Sequence, residues 1–127
     1  MSALPSPYLE PTGLRTLIVG AGEAGRALCR DLQRVSSFGL SPVGFLDDAP
    51  SDVKSDADYP PCLGSLADLD LVLASRTVDV VVIAIPSLSR DRVRELGLRA
   101  AAHGVTLRHL PPFLAALLQK HLADWPH

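Results

Sequence analysis

Three glycines and one carboxylate carry the chemistry this chain can do. In TLIVGAGEAGRALCRDL, residues 16–32, Gly20, Gly22 and Gly25 form a complete GxGxxG after an apolar run and before an amphipathic stretch. The three glycines are expected to act differently, with Gly20 allowing a tight turn, Gly22 a close backbone approach to a pyrophosphate, and Gly25 close packing of helix on sheet. The amides of Ala21, Gly22, Glu23, Ala24 and Gly25 would then offer free N–H groups and the positive end of a helix dipole to phosphates. Asp47 stands 22 residues beyond Gly25. That is the spacing of a carboxylate gripping the adenosine ribose, and its charge favours NAD over NADP. Asp48 serves instead if the strand runs one residue longer. Glu23 suits the dipole yet brings negative charge toward the phosphates, a conflict relieved if it turns outward.

These residues need strands and helices to hold them. Residues 14–20 contain the run Leu17, Ile18, Val19, expected of a strand covered on both faces. From Glu23 to about Ser36, Ala24, Ala27, Leu28, Leu32 and Val35 recur at helical spacing. PVGFL, residues 42–46, predicts a second strand ending at the two acids, followed by a mobile loop over 49–61. Residues 62–64 predict a short third strand, and Ser65 caps a helix through Leu66, Leu69, Val72 and Leu73. VDVVVIAIP, residues 78–86, is the clearest buried strand. Ser89 caps a helix closed by Gly104, residues 105–110 make a last strand, and Pro111 and Pro112 lead into a final helix with Phe113, Leu114, Leu117, Leu118 and Leu122.

Strands alternating with helices imply right-handed βαβ units in an α/β, Rossmann-like open parallel sheet of about five strands, with helices on both faces. The expected order is 3-2-1-4-5. The crevice between strands one and four then receives the ligand, and the loop after strand four adds Pro86 and Ser87 to it. Arg90 and Arg92 read as a solvated helix start.

The bulk of the sequence narrows the function. Its 127 residues suit a single domain over 14–127, preceded by a flexible arm, residues 1–13, rich in proline. A formal charge of −2 gives no general pull on polyanions, so nucleic acid is not an expected partner. Cys29 and Cys62 lack metal-ligand spacing, suit a reducing cytoplasm, and leave no metal expected. No catalytic constellation stands out. A short-chain dehydrogenase needs Tyr and Lys four residues apart, whereas Tyr8 and Tyr59 are followed by Thr12 and Leu63. The four histidines form no HxxxH pair, and only His109 falls near the crevice.

LIVGAGEAGRAL (17–28), PVGFLDD (42–48), CLGSLADL (62–69), VDVVVIAIPS (78–87) and GVTLRHLPP (104–112) together resemble the Rossmann-type CoA-binding-like domain of bacterial polysaccharide biosynthesis proteins. That domain occurs in membrane-bound nucleoside-diphosphate-sugar epimerases/dehydratases and in polyprenyl glycosylphosphotransferases. The resemblance implies dinucleotide or nucleotide-sugar binding at Gly20, Gly22, Gly25 and Asp47, with NAD(H) the first expectation and CoA or a UDP-sugar the others. The family's usual transmembrane helices and catalytic domain have no counterpart in this sequence.

The expectation is therefore a sensing or accessory module of a nucleotide-sugar pathway. It would be cytoplasmic, or at the cytoplasmic face of the inner membrane if excised from a membrane protein. A fragment of an NAD-dependent nucleotide-sugar dehydrogenase or dehydratase, and an NADH-responsive redox-sensing domain, are the alternatives. Leu114, Leu118, Leu122 and Trp125 share one side of the last helix, a stripe suited to a homodimer, to docking of a catalytic domain, or to packing on the sheet.

Overall fold

Parallel strands at the centre of this chain read as near-continuous apolar runs because both their faces are buried. The computed structural model describes residues 13–34, 39–49 and 59–110. β1 (Leu14–Val19), β2 (Leu40–Leu46), β3 (Cys62–Gly64), β4 (Val80–Ile83) and β5 (Thr106–His109) form one sheet in the order β3-β2-β1-β4-β5. Every pairing is parallel. This is the Rossmann-like order expected from the alternation of strand and helix.

The crossovers sort the helices by face. α1 (Glu23–Arg34) links β1 to β2, α2 (Leu69–Ser75) links β3 to β4, and α3 (Arg90–Ala102) links β4 to β5. On the α1 face, Leu28, Cys29 and Leu32 pack on Ile18, Phe45, Val80 and Val82. On the other face, Leu69, Val72, Leu73 and Leu96 from α2 and α3 pack on Leu17, Val19, Leu46, Val81 and Ile83. Residues one apart on a strand thus feed opposite cores. The sheet is the shared floor of two hydrophobic layers.

Local chemistry sets the boundaries. β4 spans Val80–Ile83, shorter than the apolar run, and just beyond it the Ala84 amide still donates to the Val19 carbonyl of β1 at 2.8 Å. A 3-10 turn over Leu66–Asp68 precedes α2, and Asp68 accepts hydrogen bonds from the Ser65 amide at 2.8 Å and the Ser65 hydroxyl at 3.1 Å. The Ser89 hydroxyl accepts the Arg92 amide at 3.2 Å as the N-cap of α3, and Gly104 takes φ +72° just past its end. β2 begins at Leu40, two residues earlier than its sequence pattern suggested. The proposed arm apart from Gly13, the greater part of the 49–61 loop and the predicted last helix lie outside the described residues.

Candidate functional site

The first turn out of β1 is where the glycine motif meets the rest of the sheet. Gly20 adopts φ +111°, a conformation that L side chains rarely take, and a Cβ there would come within 2.7 Å of Ile85 Cγ1. The Gly20 amide donates to the Leu46 carbonyl at 2.7 Å, and the Ala84 amide to the Val19 carbonyl at 2.8 Å. The turn is therefore clamped between the ends of β2 and β4. Gly25 has a different duty: a Cβ there would overlap the Gly20 carbonyl oxygen, so only glycine lets α1 lie against the turn.

Gly22 has no such explanation within the protein. A Cβ at this position meets nothing within 4 Å, and the residue is exposed. Its carbonyl accepts the first helical hydrogen bond, from the Arg26 amide at 3.0 Å, so the amides from Gly22 to Gly25 come before the helical ladder begins. They form the donor edge of α1, whose first residue, Glu23, is exposed.

The two acids after β2 divide their work. Asp47 Oδ2 accepts the Ala21 amide at 2.6 Å and Oδ1 accepts the Ala49 amide at 2.8 Å, while the Asp47 amide donates to the Gly64 carbonyl at 2.9 Å. Its carboxylate is thereby fixed over the first part of the glycine turn. Asp48 turns the other way, and its Oδ1 accepts the Leu66 amide at 2.8 Å at the start of the 3-10 turn. Strand β2 ends at Leu46, so Asp47 is the acid that faces the glycines.

The Pro86–Ser87 turn leaves β4 from the point where Ile85 meets Gly20. Both residues are exposed, and the Leu88 amide closes the turn on the Ile85 carbonyl at 3.2 Å. Arg92 is occupied by Glu95, 3.4 Å away on the next turn of α3. Gly20 to Gly25, Asp47 and the β4 exit are thus brought to one edge of the sheet. The contact of Ala84 and Ile85 with Gly20 was not evident in the sequence, since neither residue type advertises a place beside a glycine turn.

His109 lies at the same edge but on the α3 face. Register pairs it with Ile83, which pairs with Val19, which pairs with Leu46, so these four share one row across the sheet. Its Nε2 is buried with no hydrogen-bond partner among the described residues. That position puts it behind the turn rather than in the glycine crevice.

The family model for a CoA-binding domain matches residues 4–111. The chain belongs to that family. This CoA-binding domain is 29% identical over 104 residues to the probable polysaccharide biosynthesis protein EpsC of Bacillus subtilis (strain 168), covering 82% of the chain and 17% of that protein. It is 30% identical over 97 residues to the capsular polysaccharide biosynthesis protein CapD of Staphylococcus aureus, covering 76% of the chain and 16% of CapD. The chain thus spans about one sixth of the length of either relative.

Solved structures share its fold. UDP-D-quinovosamine 4-dehydrogenase from Vibrio fischeri superposes with a TM-score of 0.64 at 22% identity, covering 85% of this chain and 86% of that one. RSP, a Rex-family repressor, in its complex with β-NADH, superposes with a TM-score of 0.59 at 16% identity, covering 88% of this chain and 60% of that one. At these identities the likeness is one of architecture. Among the described residues of this CoA-binding domain, no helix is long and apolar enough to cross a membrane.

Proposed function

We propose that this CoA-binding domain binds a dinucleotide, NAD(H), across the glycine turn, as a sensing or accessory module in a surface-polysaccharide or nucleotide-sugar pathway. The observation that carries this reading is the open space at Gly22. Gly20 and Gly25 are explained by the fold, whereas Gly22 is a glycine that the protein's own packing does not require. A pyrophosphate lying on the amides of Gly22 to Gly25 supplies the reason, because a Cβ would stand where the phosphate approaches.

Asp47 supports the choice among nucleotides. Its carboxylate is held at the turn by the Ala21 amide, where the adenosine ribose of such a ligand would come to rest. A ribose with two free hydroxyls offers donors to that carboxylate. NADP carries a 2′-phosphate and CoA a 3′-phosphate, and either would face like charge at this point. Pro86 and Ser87 border the crevice on the β4 side and complete the proposed contacts. The curated relatives EpsC and CapD supply the pathway, and RSP, a neighbour solved with β-NADH, supplies a precedent for the cofactor on this fold. The reading assigns no catalytic residue to the chain.

Calorimetric titration with NAD, NADH, NADP, CoA and UDP-N-acetylglucosamine tests it. The expected result is binding of NAD or NADH, with NADP and CoA markedly weaker. Preference for CoA or for the UDP-sugar overturns the ligand, and binding of none overturns the site. Tighter binding of NADH than NAD supports a redox-sensing role.

A further inference from the structure

Gly22 is met by the side chain of the residue four positions on. The Arg26 amide opens the α1 ladder by donating to the Gly22 carbonyl at 3.0 Å, and the Arg26 Nε reaches back to that same oxygen at 3.4 Å. The second contact has a geometric cause. Cα–Cβ bonds of an α-helix tilt toward its N-terminus, so a long side chain in the first turn lies over the turn before it. Arg26 directly follows Gly25, the last residue whose amide precedes the ladder, and it is exposed. Its guanidinium therefore stands at the donor edge of α1, beside the residue where a Cβ would meet nothing within 4 Å.

That tether is weak. A separation of 3.4 Å is long for an N–H···O bond, and its acceptor is a neutral carbonyl. From the same guanidinium to a phosphate oxygen the bond is charge-assisted, shorter, roughly twice as strong, and open to bidentate geometry. A phosphate arriving at Gly22 thus outcompetes the carbonyl and asks for only a small swing of the side chain. The rest of α1 shows why Arg26 is the residue in place. Arg30 and Arg34 continue the exposed side of the helix. At 1.5 Å per residue they lie about 6 and 12 Å farther from the donor edge, where they contribute a field that salt screens. Glu23, also exposed, stands three positions before Arg26 and is its neighbour on the helix surface. One acid and one base share this end of α1, so Arg26 offsets the carboxylate that otherwise opposes a phosphate there.

We propose that Arg26 is the side-chain clamp of this site: its guanidinium leaves the Gly22 carbonyl for the phosphate oxygens of a ligand lying on the Gly22 to Gly25 amides, and in doing so balances Glu23. The inference rests on the reading of the glycine turn as a phosphate site. It holds for any ligand joined through a pyrophosphate, whether dinucleotide or nucleotide sugar, because the clamp reads the phosphates and neither of the groups they join. On a chain of net charge −2, it places the charge that attracts the ligand at one named residue.

Calorimetry with NAD and with UDP-N-acetylglucosamine, at low and at high salt, tests the clamp on the full chain and on its Arg26→Gln, Arg26→Lys, Arg30→Gln and Glu23→Gln variants. Arg26→Gln is expected to lose roughly tenfold in affinity at low salt, with most of that difference gone at high salt and Arg26→Lys falling between. Arg30→Gln should change affinity by less than about twofold. Glu23→Gln should bind more tightly than the parent, and weaker binding by it removes the balancing role. An Arg26→Gln protein that binds as tightly as the parent overturns the inference and leaves the glycine site standing. So does a loss that is equal at both salt concentrations, or one that Arg30→Gln matches, since the first is no charge effect and the second no contact. A parent chain that takes UDP-N-acetylglucosamine in preference to NAD, with the same dependence on Arg26, supports the clamp and overturns the dinucleotide. Binding of neither ligand overturns both.

Discussion

Asp47 holds the Ala21 amide at 2.6 Å across a sequence separation of 26 residues. The acid at the end of β2 is thus part of the glycine turn, and the two halves of the proposed nucleotide site are built as one unit. A variant at either partner disturbs both, which distinguishes this site from a helix start with an acid merely nearby.

Asp47→Asn should separate the structural and ligand roles of this carboxylate. The amide side chain keeps one acceptor oxygen for two backbone N–H groups, so a loss of about 1–2 kcal/mol in unfolding free energy is expected. NAD affinity should fall while discrimination against NADP narrows. Denaturant unfolding with parallel calorimetry checks both, and undiminished selectivity against NADP rules out the ribose assignment.

Gly22→Val and Gly25→Ala should fail in opposite ways. At Gly22 the added side chain meets only open space, so stability should change by about 1 kcal/mol or less while nucleotide binding is lost. At Gly25 even one methyl overlaps the Gly20 carbonyl, and the variant should lose about 3 kcal/mol. Circular dichroism melts paired with calorimetry report the contrast. A Gly22→Val protein that binds NAD normally would falsify the phosphate position.

The outer faces of α2 and α3 are joined at Asp70, which makes a pH test possible. Arg99 Nε donates to Asp70 Oδ2 at 2.7 Å, and His103 Nε2 lies 3.1 Å from Oδ1. The Arg99 hydrogen bond, foremost, holds this carboxyl below its ordinary 3.8. A lowered folded-state value means stability present above pH 3.8 and lost as pH falls through the folded value. Asp70→Asn should therefore flatten the acid limb of a stability–pH curve below pH 3.8, with little effect on nucleotide binding. An acid limb identical to that of the parent would remove Asp70 from the account.

Cys29 and Cys62 should differ in reactivity. Burial raises the Cys29 thiol to about 11, against a smaller opposing pull from Arg30, whereas Cys62 is half-buried on a sheet edge. Alkylation of the native protein should modify Cys62 first and reach Cys29 only on unfolding. The raised value also means a stability contribution complete below pH 9.0 and lost between there and about 11. Cys29→Ala should diminish that alkaline loss, and mass spectrometry of alkylated peptides checks the order of reaction.

Much of this architecture could be read from the chain because its signals are local. Val80–Ile83 is apolar over the whole of β4 and Leu17–Val19 over the second half of β1, as befits strands of a sheet covered on both faces. Ser65 and Ser89 marked helix starts because their side chains have few better uses there. The division of labour between Asp47 and Asp48 was not legible. It depends on where β2 stops and on the distant Leu66 amide, and two adjacent aspartates carry no mark of either. The same holds for His109, whose orientation follows from sheet register rather than from its neighbours in sequence.

Both described ends of the β2–β3 connection are fastened to the sheet and its turns. Phe45 donates to the Pro61 carbonyl at 3.0 Å, Asp47 to the Gly64 carbonyl at 2.9 Å, and Asp48 accepts the Leu66 amide. Such a crossing behaves as a closed port in the scaffold. A reporter peptide inserted after residue 49 would enter the chain two residues beyond Asp47, whose carboxylate already holds the Ala49 amide, and so would be tied directly to the acid of the proposed site.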